Sequence, residues 1–268
     1  MTAAIRARRG AMPLLPLLPF LAALAGSCTD VSTGPSRAVA IEFDTLPFPA
    51  VVTGDTLRDS LGLVAPLHAL AYNASGAPIA NAGVTYITLD TGLTIDPMGI
   101  VTAQLRNGPV RLVASVSGLQ SVTKTLEVAR RPDSVVVTGK LSDTLHYALP
   151  DNPATNVSAG LGLKLTTRDT AGGVAVTRGW LVSYQAFFRG QALVLSDTTV
   201  ASLWSDGTKP SALDTTGADG AASRRIRVRP QAPGFTAAES LIVIATVRYR
   251  GAPVRGSPVR FVIHTRPK

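Results

Sequence analysis

The chain is 268 residues long, 46% hydrophobic, 16% charged and 5% aromatic, with a formal net charge of +9 and a single cysteine. This composition excludes a disordered chain, a disulfide-stapled mini-protein and a multi-pass membrane protein, which needs repeated apolar runs of about 18 residues. Twenty-four glycines and nineteen prolines, beside abundant Val and Thr, favour short strands and many turns, and the length suits about two domains.

Arg6, Arg8 and Arg9 form a positive n-region, followed by the uncharged, apolar stretch Ala11 to Ala25. As a helix those residues reach only about 22 Å, short of a bilayer core of about 30 Å, which marks an export signal rather than a membrane span. Ala25-Gly26-Ser27 then leads directly into Cys28, the lone cysteine. This resembles a bacterial lipoprotein signal, which implies cleavage before Cys28 and lipid attachment to its thiol. Two alternatives stay open: ordinary secretion, because Ala23-Leu24-Ala25 is a small-x-small cleavage site, and an uncleaved anchor. Residues 1–27 are thus a signal peptide and 28–37 a lipidated tether, with Gly34-Pro35 breaking any helix.

From Ala38 onward, short apolar alternations recur between turn residues, the mark of an all-β sandwich or barrel. Strands are expected at Val39–Phe43, Leu63–Tyr72, Val84–Leu89, Leu93–Ile95, Ile100–Ala103, Val110–Val116 and Val122–Val128. Turns fall at Asn73–Pro78 and Asp96–Gly99. Gly54-Asp55-Thr56-Leu57, Ser75-Gly76-x-Pro78 with Ala82, and Asp96-x-x-Gly99-x-Val101-Thr102-Ala103 resemble the recurring motifs of a bacterial Ig-like domain over residues 38–129. These motifs are turn chemistry: they imply a fold and no activity.

Arg130-Arg131-Pro132 is a short, stiff junction to a second unit, 133–266. Its strands are expected at Ser134–Val137, Leu161–Arg168, Gly179–Arg189, Ala221–Val228, Leu241–Tyr249 and Val259–His264. Thr216-x-x-x-Gly220-x-Ala222 is similar to the turn and strand of invasin-like bacterial Ig domains. Asp143–Ala159 fits no repeat, and the strand order there stays open.

The search for chemistry yields little. His68, His146 and His264 form no metal-ligand spacing, and no nucleophile elbow or phosphate-binding glycine loop occurs. Asp214 and Asp219 flank a loop that could contact Ca²⁺, but two carboxylates fall short of six to eight oxygens and a plain turn is favoured. Trp180, Tyr184 and Phe188 share a strand face, which reads as a core row ahead of a sugar-stacking platform. Trp204, in a polar stretch, is the better candidate for an exposed carbohydrate contact. Residues 221–268 hold ten Lys/Arg and one Glu. Arg225, Arg227 and Arg229 alternate with Ile226 and Val228, so one strand face presents three guanidiniums. With Arg248 and Arg250 they form a candidate patch for anionic envelope polymers, provided that the two groups converge; a simply solvated face is the competing reading. Leu241–Ala245 is apolar on both faces, as a central strand partly covered by a loop would be, or a face that docks on another protein.

The reading is an all-β chain of two Ig-like β-sandwich domains in tandem after an N-terminal signal segment. It implies a non-catalytic cell-envelope lipoprotein for scaffolding or adhesion, anchored to a membrane through Cys28 and requiring neither cofactor, metal nor nucleic acid. Other envelope proteins or an anionic polysaccharide are the expected partners. A secreted carbohydrate-binding module or an accessory subunit of an extracellular enzyme is the alternative.

Overall fold

The computed structural model describes residues 37–268 except 106, 169–171, 195–199, 207–208, 234 and 236–237. The expected signal peptide, Cys28 and nearly all of the expected tether therefore lie outside the described residues. The described residues hold strands and no helix.

Nine strands precede the Arg130-Arg131-Pro132 junction: β1 (Ala40–Phe43), β2 (Ala50–Val52), β3 (Ala69–Tyr72), β4 (Thr85–Thr88), β5 (Leu93–Ile95), β6 (Val101–Ala103), β7 (Gly108–Val116), β8 (Leu119–Gln120) and β9 (Lys124–Ala129). Thirteen follow it: β10 (Ser134–Val137), β11 (Ser142–Tyr147), β12 (Leu161–Arg168), β13 (Val174–Val176), β14 (Leu181–Phe188), β15 (Gln191–Ala192), β16 (Ala201–Trp204), β17 (Leu213–Thr215), β18 (Ala221–Val228), β19 (Glu239–Thr246), β20 (Arg248–Tyr249), β21 (Ala252–Pro253) and β22 (Val259–Pro267).

The first set forms the sheet β2-β9-β7-β4, with β8 on β7, and the pairs β1-β3 and β5-β6. Phe43, Leu57, Leu67, Val101, Leu112 and Leu126 fill its core. The second set forms β10-β12-β18-β16, with β13 on β12, and β11-β22-β19-β14-β15, with β17 on β14. Leu161, Leu163, Leu165, Ile226, Val243, Phe261 and Ile263 are buried between these layers. Each set is a β-sandwich of the Ig-like kind, because strands that alternate inward and outward residues bury one face against a second sheet.

Both sandwiches begin the same way. A short strand pairs antiparallel in one sheet (β1 with β3, β10 with β12), and the chain then crosses to pair in parallel with the last strand of the other sheet (β2 with β9, β11 with β22). The two crossing strands are what the sequence pattern misses. Of the long strand expected over Leu63–Tyr72, only Ala69–Tyr72 belongs to a sheet, with a lone bridge between Arg58 and Val64. The irregular stretch Asp143–Ala159 supplies most of β11 and then a strap. In the strap Val157 bridges to Arg227, Ser158 donates to Ile226 O at 2.9 Å, and Val228 donates to Asn156 O at 2.9 Å.

The second-sandwich motif has a local cause. Buried Thr216 donates its hydroxyl to Thr177 O (2.8 Å) and accepts from Trp180 N (2.9 Å). Gly220, at φ 76°, packs so closely that a Cβ would sit 2.9 Å from Leu165 O. β19 shows how a central strand reads: Leu241, Val243 and Ala245 are buried, while Ile242 and Ile244 on the outer face are half-buried.

Candidate functional site

No strand pairing crosses between the sandwiches among the described residues, yet their buried apolar side chains form one continuous cluster. The contact is made by Phe48 and the loop after β2 on one side. On the other are the β13–β14 turn and the β20–β21 hairpin. The Phe48 and Trp180 rings lie 5.0 Å apart and the Trp180 and Tyr249 rings 6.1 Å apart, and Trp180 Nε1 donates to Arg248 O at 3.1 Å. The backbones close to contact at Gly62 and Gly251: a Cβ on Gly62 would fall 2.2 Å from the Arg250 carbonyl carbon, and one on Gly251 2.4 Å from Leu61 O.

Charge frames this apolar seam. Asp55, with its side chain 11% exposed, accepts from Arg250 Nε at 2.9 Å and from the Tyr249 hydroxyl at 3.1 Å, and Arg58 stands at 3.5 Å. Burial raises the Asp55 pKa, but the Arg250 guanidinium, the Thr56 amide and the Tyr249 hydroxyl outweigh it and hold the carboxyl at about 2. Across the seam Glu127 receives Arg178 bidentately, at 2.5 and 3.1 Å. A small cleft of about 30 Å³ lies beside Asp55, Arg58, Trp180 and Tyr249. Two ion pairs thus flank a cluster of three tilted aromatic rings.

The arginines expected to form one patch are divided. Arg225, Arg227 and Arg229 lie on or just past β18; Arg248 and Arg250 sit on the hairpin at the inter-sandwich seam. Arg227 points away from Ile226 and Val228 as the alternation requires, but it is only 2% exposed. The strap covers it, and its guanidinium pairs with Asp151 at 2.7 Å and lies 5.5 Å over the Trp204 ring. Arg250 belongs to Asp55, Arg248 donates to Gly251 O at 2.9 Å, and Arg225 stands 3.6 Å from Asp206. The five residues therefore do not make a single anion surface.

Trp204 is half-buried, its indole nitrogen enclosed without a partner, so it offers no open stacking plane. Trp180 and Tyr184 face the core, and Phe188 stacks on Phe235 at 6.3 Å. That row is structural. Asp214 pairs with Arg224 at 2.9 Å, and Asp219 accepts from Ala221 N at 3.0 Å, so both carboxylates serve the fold. Among the described residues no group of three or more His, Cys, Asp or Glu gathers.

The residues that matter at the seam were hard to see in sequence. Asp55 stands inside a motif read as turn chemistry, and its partner Arg250 lies 195 positions away. Asp214 and Asp151, which neutralise the buried Arg224 and Arg227, carry no sequence signal of that pairing.

No family model matches the chain, and no curated protein matches it. Among solved structures it is similar to domains 4 and 5 of the S-layer protein SbsC, at 13% identity and a TM-score of 0.29, covering 84% of this chain and 96% of that one. It is similar also to the Yersinia pseudotuberculosis adhesin InvE, at 14% identity and a TM-score of 0.31, covering 84% of this chain and 58% of the adhesin. A third is the Escherichia coli adhesin FdeC, at 15% identity and a TM-score of 0.26, covering 84% and 63%. These values assign no activity to this chain, whose fold is read from its own strand order.

Proposed function

We propose that this chain is a non-catalytic cell-envelope component: an exported, lipid-anchored stalk whose two sandwiches act as one stiff body for scaffolding or adhesion. The observation that carries the reading is the seam. A continuous apolar core, the tilted ring cluster Phe48–Trp180–Tyr249 and the ion pairs at Asp55 and Glu127 engage both sandwiches' facing ends with each other. A loosely tethered pair would leave those groups in water. Cys28, at the end of the apolar signal segment, supplies the anchor, and residues up to Arg37 the tether.

Expression of the full chain in a bacterial host with labelled palmitate tests both halves. The wild type should carry the label and sediment with membranes, and Cys28→Ser should be unlabelled and soluble; unlabelled wild-type protein beginning at Gly26 would instead mean ordinary secretion. In solution scattering on the Cys28→Ser chain the two sandwiches should behave as one rigid particle, and Asp55→Ala with Glu127→Ala should broaden the distance distribution. An equally broad distribution without those two changes would end the stiff-stalk reading.

A further inference from the structure

We propose that the outer face of the sheet β11-β22-β19-β14 binds an acidic polysaccharide. The proposal rests on the stalk presenting its surfaces to the envelope, and it names the partner. Strand register places side chains on this face in rows. Phe187, Ile242, Val262 and Ser142 form one row across four strands, with the first three half-buried and Ser142 exposed. On one side of it lies the row Gln185, Ile244 and Arg260. On the other lie Ser240, His264 and Thr144, and then Arg266 beside His146. Rows are about 6.7 Å apart along the strands and neighbours about 4.8 Å apart across them.

The charge on this face is of one sign. The acidic residues of the sheet, Asp143, Glu239 and Asp214, all share the inward parity of buried Leu145, Leu241 and Val182. Each is already taken, by Lys140, Arg189 and Arg224 respectively. Arg260 and Arg266 are exposed on the outer side with no carboxylate of their own sheet facing them.

A flat apolar row edged by hydroxyls and an amide, with cations at both ends, matches the chemistry of a sugar polymer bearing carboxylates. Ring C–H faces would lie on Phe187, Ile242 and Val262. Hydroxyls would bond to Ser142, Thr144, Ser240 and Gln185, and carboxylates would reach Arg260 and Arg266. The row offers only three apolar side chains, each half-buried, which is too little apolar surface for an interfacial membrane anchor. With Phe187 as the single Phe, Tyr or Trp among its described residues, the face also lacks the stacking series that single-stranded nucleic acid requires.

The probe is polygalacturonate, with neutral dextran and phosphatidylglycerol vesicles as comparisons, measured on the full-length purified Cys28→Ser chain. Polygalacturonate should bind with an affinity that falls as salt rises, and dextran should not bind. Arg260→Ser with Arg266→Ser should weaken binding about tenfold, as loss of two exposed charge contacts implies, while the circular dichroism melt stays unchanged. Val262→Asp should abolish binding, and Arg225→Ser, in the opposite sheet, should leave it intact. Equal binding by the double variant, loss on Arg225→Ser, or binding to vesicles alone would overturn the proposal. Membrane partition and scattering read the stalk separately, so failure here leaves that reading standing.

Discussion

Asp55 ties a local turn to a distant hairpin through one carboxylate, and its protonation reports on that tie. Burial works against its charge, and Arg250, Thr56 and Tyr249 more than compensate, so its folded pKa is about 2 against an ordinary 3.8. A depressed folded value contributes stability that is fully present above the ordinary value and disappears as pH falls through the folded one. The seam should therefore lose this contribution between about pH 4 and pH 2. In acid titrations of the melting temperature, Asp55→Asn should remove that part of the pH dependence and lower stability by about 1–2 kcal/mol at neutral pH. A variant with the wild-type acid profile would show the carboxylate to be idle. Arg224 and Arg227 make the same point about interior charge: each is buried, and each meets a carboxylate, Asp214 or Asp151. Burying a guanidinium without such a partner would cost several kcal/mol.

The strap after β11 is the element that turns an exposed arginine into an interior one. Its pivot is Asn156, fully buried, which accepts from Ala148 N at 2.7 Å and donates to Ala148 O at 3.1 Å and to Asp151 at 2.8 Å. Asn156→Ala leaves those groups without partners and unseats the carboxylate that neutralises Arg227. It should cost about 2–3 kcal/mol, seen as a lower urea midpoint at unchanged slope; a near-neutral result would show the strap to be dispensable. Period-2 alternation made β12 and β18 legible from sequence, and it also gave the outward parity of Arg227 correctly. It could not give the exposure, because the covering strap comes from about 70 residues earlier and has no periodicity of its own. β2 and β11 were illegible for a related reason. Each pairs in parallel with a strand at the far end of its sandwich, so no adjacent turn announces it. The anion-binding surface was sought where arginines cluster in sequence. The face that carries unopposed cations is assembled from four strands, and only register reveals it.

At the scale of the whole molecule the two sandwiches repeat one arrangement: the strand that enters a sheet lies beside the strand that leaves it, pointing the same way. Tension applied along the chain draws such neighbours past each other in opposite directions. Every bond of the shared ladder then takes load together, whereas an antiparallel hairpin pulled at its open end yields one bond at a time. When single molecules are stretched from the two ends, rupture should come in two discrete events. Each should need less force once engineered cysteines turn the pull across the strands; rupture forces independent of direction would show that the parallel ladders bear none of the strain. A body tugged by flow or by a neighbouring cell would in this way be gripped along its most resistant axis.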